Sequence, residues 1–395
     1  MEKGLIDKRG DPVPSFQKDF NDPFGSKSYC TKPFCQVFTD AANRYRLCAD
    51  AGITKEIKDM NIGTTLPLDY FRSSEMDKVR EKMLRGEKIT GCENCYEQES
   101  KTGWSYRQQY MARISKDYGL TEFPRAPLKP RIKLRTIGTK CNLGCYMCRA
   151  YDSSTRRMEL SEANLWELWR ETGIKEYEDT RVKNVSKKRH NEILKHLKEN
   201  EDGIHMFHMC GGEPLISDRC WEILNQVSDE VAAKQTLVIT TNLTTLDYKG
   251  HSVNGLAEKF GRLQLEVSCD HYGEKFRWIR YPIDVDVFEE NLYRMRPHIE
   301  RICCTVSILN IFDLKEIEEY YMDNFGIFIH WYALYSPVSL SIKNIPNKED
   351  IPYIPTDEIK GELMKQEVPS ELQKGYEYIR SLEDHRGFKI LGRNS

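Results

Sequence analysis

Short apolar runs alternate with longer amphipathic segments from residue 131 onward. Runs rich in β-branched and aromatic residues lie at 131–138, 204–210, 235–241, 262–269, 301–309 and 327–334. The segments between them, such as WEILNQVSDEVAAK and VFEENLYRMRPHIE, place apolar residues at helical spacing. Strands that alternate with crossover helices predict an α/β fold with a parallel sheet and right-handed connections. The pattern leaves open whether this sheet is doubly wound or forms a partial (β/α)6 barrel of the TIM type.

The rest of the chain predicts three further parts around this core, which spans residues 126–335. Residues 1–30 are rich in Gly, Pro, Asp and Lys and predict a loose polar lead-in. Residues 31–125 carry cysteines with little long periodicity, which indicates a small unit stapled by metal. Residues 336–395 combine prolines with charged helical segments and predict a C-terminal cap or tail.

Composition and charge exclude some classes of function. The chain has 395 residues, 39% of them hydrophobic, and a net charge of −2, so a large core forms without a global attraction to nucleic acid or anionic lipid. A basic run at 187–190 favours a solvated helix face, with contact to an acidic substrate as the alternative. We expect a cytoplasmic protein, because no signal sequence or membrane-spanning run is found. In that reducing compartment, thirteen cysteines indicate metal binding rather than disulfides.

Segments that carry polar residues, glycine or cysteine follow the predicted strands rather than precede them. In β/α folds the carboxyl edge of the sheet is where chemistry takes place. The first such segment, TKCNLGCYMCRA at 139–150, holds Cys141, Cys145 and Cys148. A [4Fe–4S] cluster bound by three thiolates keeps one iron without a protein ligand. A structural metal loop or three buried thiols are the alternatives.

The C-x3-C-x2-C spacing, with Tyr146 just after the second cysteine, resembles the signature of the radical SAM superfamily. In that superfamily the open iron binds the amino and carboxylate groups of S-adenosylmethionine. One electron from the cluster then splits the sulfonium S–C bond and yields a 5′-deoxyadenosyl radical. The resemblance implies that Cys141, Cys145 and Cys148 hold the catalytic cluster, while the protein mainly positions the cofactors.

Segments after the following strands resemble other parts of the same superfamily. The turn MCGGEPLI resembles the GGEP motif that holds the methionine amine, and TTNLTT, VSCD and RWIRYP follow in the order expected. Taken singly, each is also an ordinary turn or surface segment. The implied cofactor-binding residues are Tyr146, Gly211, Gly212, Glu213, Asn242, Ser268, Asp270 and Arg280.

A second group of cysteines lies upstream, in FCQVF, RLCAD and GCENCYEQE. Their spacing suits either zinc or a fully ligated iron–sulfur cluster. The run CENCYEQESKTGWSYR resembles the twitch or SPASM auxiliary region of radical SAM enzymes, although here it precedes the barrel. The resemblance implies an auxiliary [4Fe–4S] cluster, with zinc as the alternative and Cys30 as a replacement for one ligand. The predicted ligands are Cys35, Cys48, Cys92 and Cys95.

The sequence therefore predicts a radical SAM enzyme that abstracts hydrogen from an unactivated carbon. The substrate expected from twitch and SPASM relatives is a peptide or protein side chain, and a nucleotide, sugar or other small molecule is the alternative. The expected electron donor is a one-electron reductant such as a flavodoxin or ferredoxin. A hypothesis from another class is a non-catalytic, zinc-stapled protein that binds nucleic acid through its basic insertion.

Overall fold

The computed structural model describes residues 28–40, 42–102, 105–119, 122–135, 138–171 and 185–388. Most of the predicted lead-in and part of the insertion at 170–200 lie outside these ranges. The chain divides into two compact units. The first holds Met1–Phe38 and Arg44–Arg131, and the second holds Thr39–Asn43 and Ile132–Ser395.

The first unit is mainly helical and small. A buried arginine ties its helices together: Arg80 donates from Nε to the carbonyl of Pro33 at 2.9 Å and from Nη2 to that of Phe71 at 2.6 Å. Ser73 caps the helix that carries Arg80 by accepting from the Met76 N–H at 3.3 Å. Its elements are α1 (Lys32–Cys35), β1 (Gln36–Thr39), β2 (Tyr45–Arg46), α2 (Pro67–Phe71), α3 (Ser74–Leu84), α4 (Glu93–Thr102) and α5 (Tyr106–Tyr118).

The second unit contains a parallel sheet whose strands follow one another in space as they do along the chain. The strands are β3 (Arg131–Lys133, at the boundary), β4 (Met206–Met209), β5 (Thr236–Thr241), β8 (Arg262–Ser268), β9 (Ile299–Val306) and β10 (Ile329–Ala333). β6 (Asp247–Tyr248) and β7 (His251–Ser252) form a separate hairpin. All six predicted strands are confirmed. A doubly wound sheet reverses its strand order at a switch point, and the unreversed order of these six strands fits the partial barrel instead.

Helices connect these strands and continue beyond the last one. They are α6 (Ser154–Glu162), α7 (Trp166–Glu171), α8 (Lys187–Glu199), α9 (Asp218–Gln226), α10 (Asp229–Ala232), α11 (Val253–Lys259), α12 (Gly273–Ile279), α13 (Val285–Arg294), α14 (Leu314–Phe325), α15 (Asp357–Leu363) and α16 (Pro369–Arg386). Serines or aspartates cap several of them, as Asp284 does for α13. None of the described helices is long and apolar enough to cross a bilayer.

The two faces of the barrel sheet differ in chemistry. One face carries Leu237, Ile239, Leu265, Val267 and Ile302, which are all buried. Since the helices of a β/α barrel surround its strands, this apolar face is the outer one. The register places polar side chains on the opposite, inner face. This division positions the chemistry inside the barrel and at its carboxyl edge.

Candidate active site

The three-cysteine loop leaves β3 and is held by the first turn of α6. Thr155 Oγ1 and Ser154 Oγ donate to the Cys141 carbonyl at 2.6 and 3.1 Å, and Ser154 Oγ also accepts from the Cys141 N–H at 3.1 Å. Ser153 caps the helix and donates to the Leu143 carbonyl at 2.8 Å. The run of hydroxyl residues after the cysteines therefore fixes the backbone that carries the thiols.

Two arginines hold the middle of the same loop. Arg156 Nε donates to the Cys145 carbonyl at 3.1 Å, and Arg386 Nη2 donates to the Gly144 carbonyl at 2.5 Å. Both guanidinium groups pair with Glu159, at 2.6 Å for Arg156 and 2.5 Å for Arg386. The role of these residues was not predicted from the sequence, because it depends on contacts between distant segments. The hydroxyl-rich run before Arg156 was the one local signal.

Tyr146 lies inside this support. Its ring has no exposed surface, packs 4.6 Å from the Trp278 ring and lies 4.5 Å from the Arg386 guanidinium. Its N–H donates to the Ile279 carbonyl at 3.1 Å. In this structure the Tyr146 ring therefore supports the cysteine loop, and the cofactor-binding role implied for Tyr146 stays a prediction.

The glycine–glutamate turn after β4 contacts the cysteine loop through its backbone. The Glu213 N–H donates to the Lys140 carbonyl at 2.7 Å. Gly211 and Gly212 have φ of +98° and +55°, which disfavours other residues. A Cβ on Gly212 would also clash with the Lys140 carbonyl. Two segments far apart in sequence are therefore brought together.

The Glu213 carboxylate is buried and mostly occupied by protein donors. Oε1 accepts from the Leu215 N–H at 3.0 Å and from Thr241 Oγ1 at 2.7 Å, and Oε2 accepts from the Asn242 N–H at 2.6 Å. Burial raises the pKa of Glu213 to about 7, against the effect of these bonds. Since each carboxylate oxygen has two acceptor sites, Oε2 retains capacity for one further donor.

Asn242 links this turn to the cysteines. Its Nδ2 lies 4.0 Å from the Cys141 sulfur and donates to Asn142 Oδ1 at 3.0 Å. Its Oδ1 accepts from the Thr244 N–H at 3.1 Å. Asn242, which was predicted to lie at the cofactor edge, therefore lies beside Cys141.

Asp270 and Arg280 form a buried ion pair below the cysteine loop. Arg280 Nε donates to Asp270 Oδ2 at 2.7 Å, and Asp270 Oδ1 accepts from the Thr305 N–H at 2.7 Å. Arg280 Nη1 lies 3.9 Å from the Cys145 sulfur. Asp270 has no exposed surface and holds Arg280 in place, and its predicted contact with the cofactor stays a prediction. Ser268 lies on the inner face of β8, where its Cα pairs with that of Cys303.

The thiols of the loop are electrostatically unequal. A hydrogen bond from Cys148 and the nearby Arg280 guanidinium lower the pKa of Cys145 to about 7, against its burial. Burial raises the pKa of Cys141 to about 12. Among the described residues, no three His, Cys, Asp or Glu side chains converge to hold a single metal ion. A cubane cluster takes each thiolate on a different iron, and the soft donors beside Arg280 suit such a group.

A second set of cysteines surrounds a small cavity in the first unit. Cys30, Cys48, Cys92 and Cys95 line it together with Lys32 and Arg107. Cys35 is not among the residues that line this cavity, and its thiol donates to the Thr31 carbonyl at 3.1 Å within α1. The structure therefore groups Cys30, and not the predicted Cys35, with the other three cysteines. The reason is local: Cys35 ends a helical turn and is turned back onto it.

Burial keeps the thiols of this cavity protonated without a metal. It raises the pKa of Cys95 to about 12, and it also raises the pKa values of Cys30, Cys48 and Cys92. A bound metal would reverse this, because metal ions hold cysteine as thiolate. The cationic Lys32 and Arg107 would offset part of the resulting negative charge.

Residues 136–323 match the model of the Radical SAM superfamily. The match supports a radical SAM domain over these residues and, by class, an iron–sulfur enzyme. A domain of this superfamily implies a [4Fe–4S] cluster and S-adenosylmethionine.

Among solved structures, "Native anSMEcpe with bound AdoMet" is 14% identical, with 66% of this chain and 62% of that chain covered and a TM-score of 0.35. The chain thus spans less than two thirds of the length of that protein. "Structure of TYW1 with a lysine-pyruvate adduct bound" is also 14% identical, with 49% and 61% covered and a TM-score of 0.25. At these values the likeness adds nothing to the assignment. The comparison with curated proteins finds no match.

Proposed function

We propose that this protein reductively cleaves S-adenosylmethionine and abstracts hydrogen from an unactivated carbon of a second substrate. One observation supports the proposal above the others. The cysteine loop, the glycine–glutamate turn and Arg280 meet at one edge of the barrel, with a 2.7 Å bond from Glu213 to the loop and 3.9 Å between Arg280 and Cys145. When bound by Cys141, Cys145 and Cys148, the cluster would supply the electron and an open iron for the cofactor.

The protein's own residues would bind and orient that cofactor. Glu213 offers the open acceptor site of Oε2 to the methionine ammonium group, since its other sites already hold the turn in place. Arg280 carries five N–H donors, and those beyond Asp270 and Cys145 would bind the methionine carboxylate. Positive φ at Gly211 and Gly212 lets the cofactor approach the backbone. Each role follows from chemistry that the described geometry provides.

We further propose an auxiliary [4Fe–4S] cluster in the first unit, held by Cys30, Cys48, Cys92 and Cys95. Support comes from the shared cavity and from Arg107, which binds Glu99 at 2.6 Å and thereby stays beside the thiols. Zinc is the alternative for the same four thiols. The iron and sulfide content per chain separates these two metals.

For the second substrate we propose a peptide or protein side chain, on the resemblance of the first unit to twitch and SPASM regions. A nucleotide or sugar is the alternative, and a flavodoxin or ferredoxin is the proposed reductant. A mass-shift screen with candidate peptides and nucleotides would distinguish the substrates. The expected result is a mass change in peptides alone.

The reaction itself is tested by anaerobic reconstitution, reduction with dithionite and measurement of 5′-deoxyadenosine. The wild type should form it, and Cys145→Ala should not. Cys35→Ala is a matched control, because Cys35 is also a buried cysteine but lies in the first unit, where its thiol donates to the Thr31 carbonyl. A wild type that binds no iron and forms no 5′-deoxyadenosine refutes the proposal. Bound zinc together with salt-dependent binding of oligonucleotides would favour the non-catalytic nucleic-acid-binding alternative instead.

A further inference from the structure

Four polar side chains form a connected layer across the inner face of the barrel sheet. We call His208, Thr240, Glu266 and Arg301 the polar layer. Thr240 Oγ1 lies 2.8 Å from His208 Nε2 and donates to Glu266 Oε2 at 3.2 Å. Arg301 Nη2 donates to Glu266 Oε1 at 2.5 Å. The network thus joins β4, β5, β8 and β9.

The register explains why these residues share one face. Thr240 pairs with Glu266, and Glu266 pairs with Arg301 across a shift in register. Paired residues of parallel strands point to the same side of the sheet. The next strand adds His330 and Tyr332 to this face, paired with Cys303 and Thr305. The inner face is therefore polar well below the edge where the cofactor residues lie.

Stability alone does not account for the polar layer. The side chains of Glu266 and Arg301 are 6% and 19% exposed. A buried ion pair is often no more stabilising than apolar residues of similar volume, because both charges lose their hydration. The same two strands carry a second pair, Arg262 with Glu300 at 3.2 Å, whose side chains are 61% and 37% exposed. An ion pair that only links the surfaces of β8 and β9 is therefore exposed here, unlike the pair of Glu266 and Arg301.

One hydrogen-bond donor of the layer, Arg301 Nε, lacks an acceptor among the described residues. Glu266 already accepts from Arg301 and Thr240, with His208 Nε2 at 3.6 Å from Oε2. Arg301 Nε is buried and has no hydrogen-bond partner within the described part of the chain. The exposed fifth of this side chain therefore belongs to its other atoms. A ligand that supplies acceptors would complete the arrangement.

We propose that the polar layer recognises the substrate and that Arg301 binds a carboxylate or phosphate group on it. This inference rests on the proposed function, because it takes the barrel interior as the substrate site. Arg301 lies four residues before Thr305, whose N–H binds Asp270, and four residues of strand span about 13 Å. The substrate would thus be held by an oxyanion deep in the barrel while its reacting carbon lies nearer the cofactor edge. Planar guanidinium groups bind such oxyanions through paired N–H donors.

The test measures binding of malonate and of inorganic phosphate by calorimetry, on anaerobically reconstituted protein at constant ionic strength. We expect one of the two to bind the wild type saturably, and which one binds distinguishes the carboxylate from the phosphate. Arg301→Gln should weaken that binding about tenfold or more, since a bond to a charged group is lost. Arg262→Gln is the control and should bind the anion as the wild type does.

The inference is overturned if neither anion binds the wild type saturably, or if Arg301→Gln binds it as tightly as the wild type. Glu266→Gln provides an independent variant: it removes the competing carboxylate and should bind the same anion at least as tightly as the wild type. Weaker binding by Glu266→Gln overturns the assignment to Arg301. The proposed function fails by a different result, the absence of 5′-deoxyadenosine from the same preparation.

Discussion

Asp270→Asn tests whether the buried ion pair positions Arg280. Asp270 has no exposed surface, and its two oxygens bind Arg280 at 2.7 Å and the Thr305 N–H at 2.7 Å. Asparagine keeps the size of the side chain but loses the charge, so the guanidinium stays buried without its partner. Removing one member of a buried pair costs about 3–5 kcal/mol. We expect the free energy of unfolding, measured by urea denaturation, to fall by that amount.

A second readout separates positioning from stability. Asp270→Asn should also weaken binding of S-adenosylmethionine, because Arg280 is released from its orientation. Replacing Arg280 by Met in the same protein removes the unpaired charge and should restore part of the lost stability without restoring cofactor binding. Asp229→Asn is the control, since this carboxylate is 93% exposed and lies 3.6 Å from Lys259. If Asp270→Asn unfolds at the same urea concentration as the wild type and binds the cofactor equally well, the positioning role is wrong.

Three further changes follow from the geometry. Cys30→Ala should lose about half of the iron and Cys35→Ala should keep it, as measured by iron and sulfide content; the reverse result restores Cys35 as the ligand. Gly212→Ala should lower the thermal stability of the protein by clearly more than Gly273→Ala does. Both glycines have a φ near +55°, but only a Cβ on Gly212 meets a carbonyl, that of Lys140. Equal effects would contradict this close approach. Burial raises the pKa of Glu213 from 4.5 to about 7, so the folded state binds the extra proton and this group's contribution to stability is lost as pH rises across that window. Urea denaturation of the metal-free protein should show the wild type losing stability relative to Glu213→Gln between these pH values, and a constant difference would contradict the shift.

The sheet could be predicted from the sequence because its two kinds of segment have different periods. After its first residue the run QTLVITT is apolar or β-branched at every position, and β5 forms there, at Thr236–Thr241. The carboxyl edge of the sheet could be predicted as the place of the chemistry, because the polar segments follow the strands along the chain. The choice between a partial barrel and a doubly wound sheet needed the order of the strands in space. The spacing of the runs along the chain does not give that order.

The site was predictable only where a residue and its neighbours in sequence carry the chemistry. Cys141, Cys145 and the Gly211–Gly212 turn belong to this group. Arg386 was not predictable, since it reaches the Gly144 carbonyl from the far end of the chain. The packing of Tyr146 was not predictable for a related reason: its place beside a cysteine says nothing about which side of the loop its ring packs against.

The choice between Cys30 and Cys35 shows the same limit. Both lie near the other cysteines in sequence, and the spacing suits either. The structure separates them because α1 turns the Cys35 thiol onto the Thr31 carbonyl at 3.1 Å, while Cys30 precedes that helix and lines the cavity. When cysteines lie in loops and short helices, a single turn of backbone therefore decides which of them can bind the metal.

The most direct test of the three-cysteine site uses the Cys92→Ala, Cys95→Ala double variant, which removes two of the proposed auxiliary ligands. After anaerobic reconstitution and reduction, its electron paramagnetic resonance spectrum is recorded with and without S-adenosylmethionine. We expect one remaining cluster whose spectrum changes when the cofactor binds, together with formation of 5′-deoxyadenosine. A reconstituted variant that holds a cluster but shows neither the spectral change nor the product would contradict an open iron at Cys141, Cys145 and Cys148.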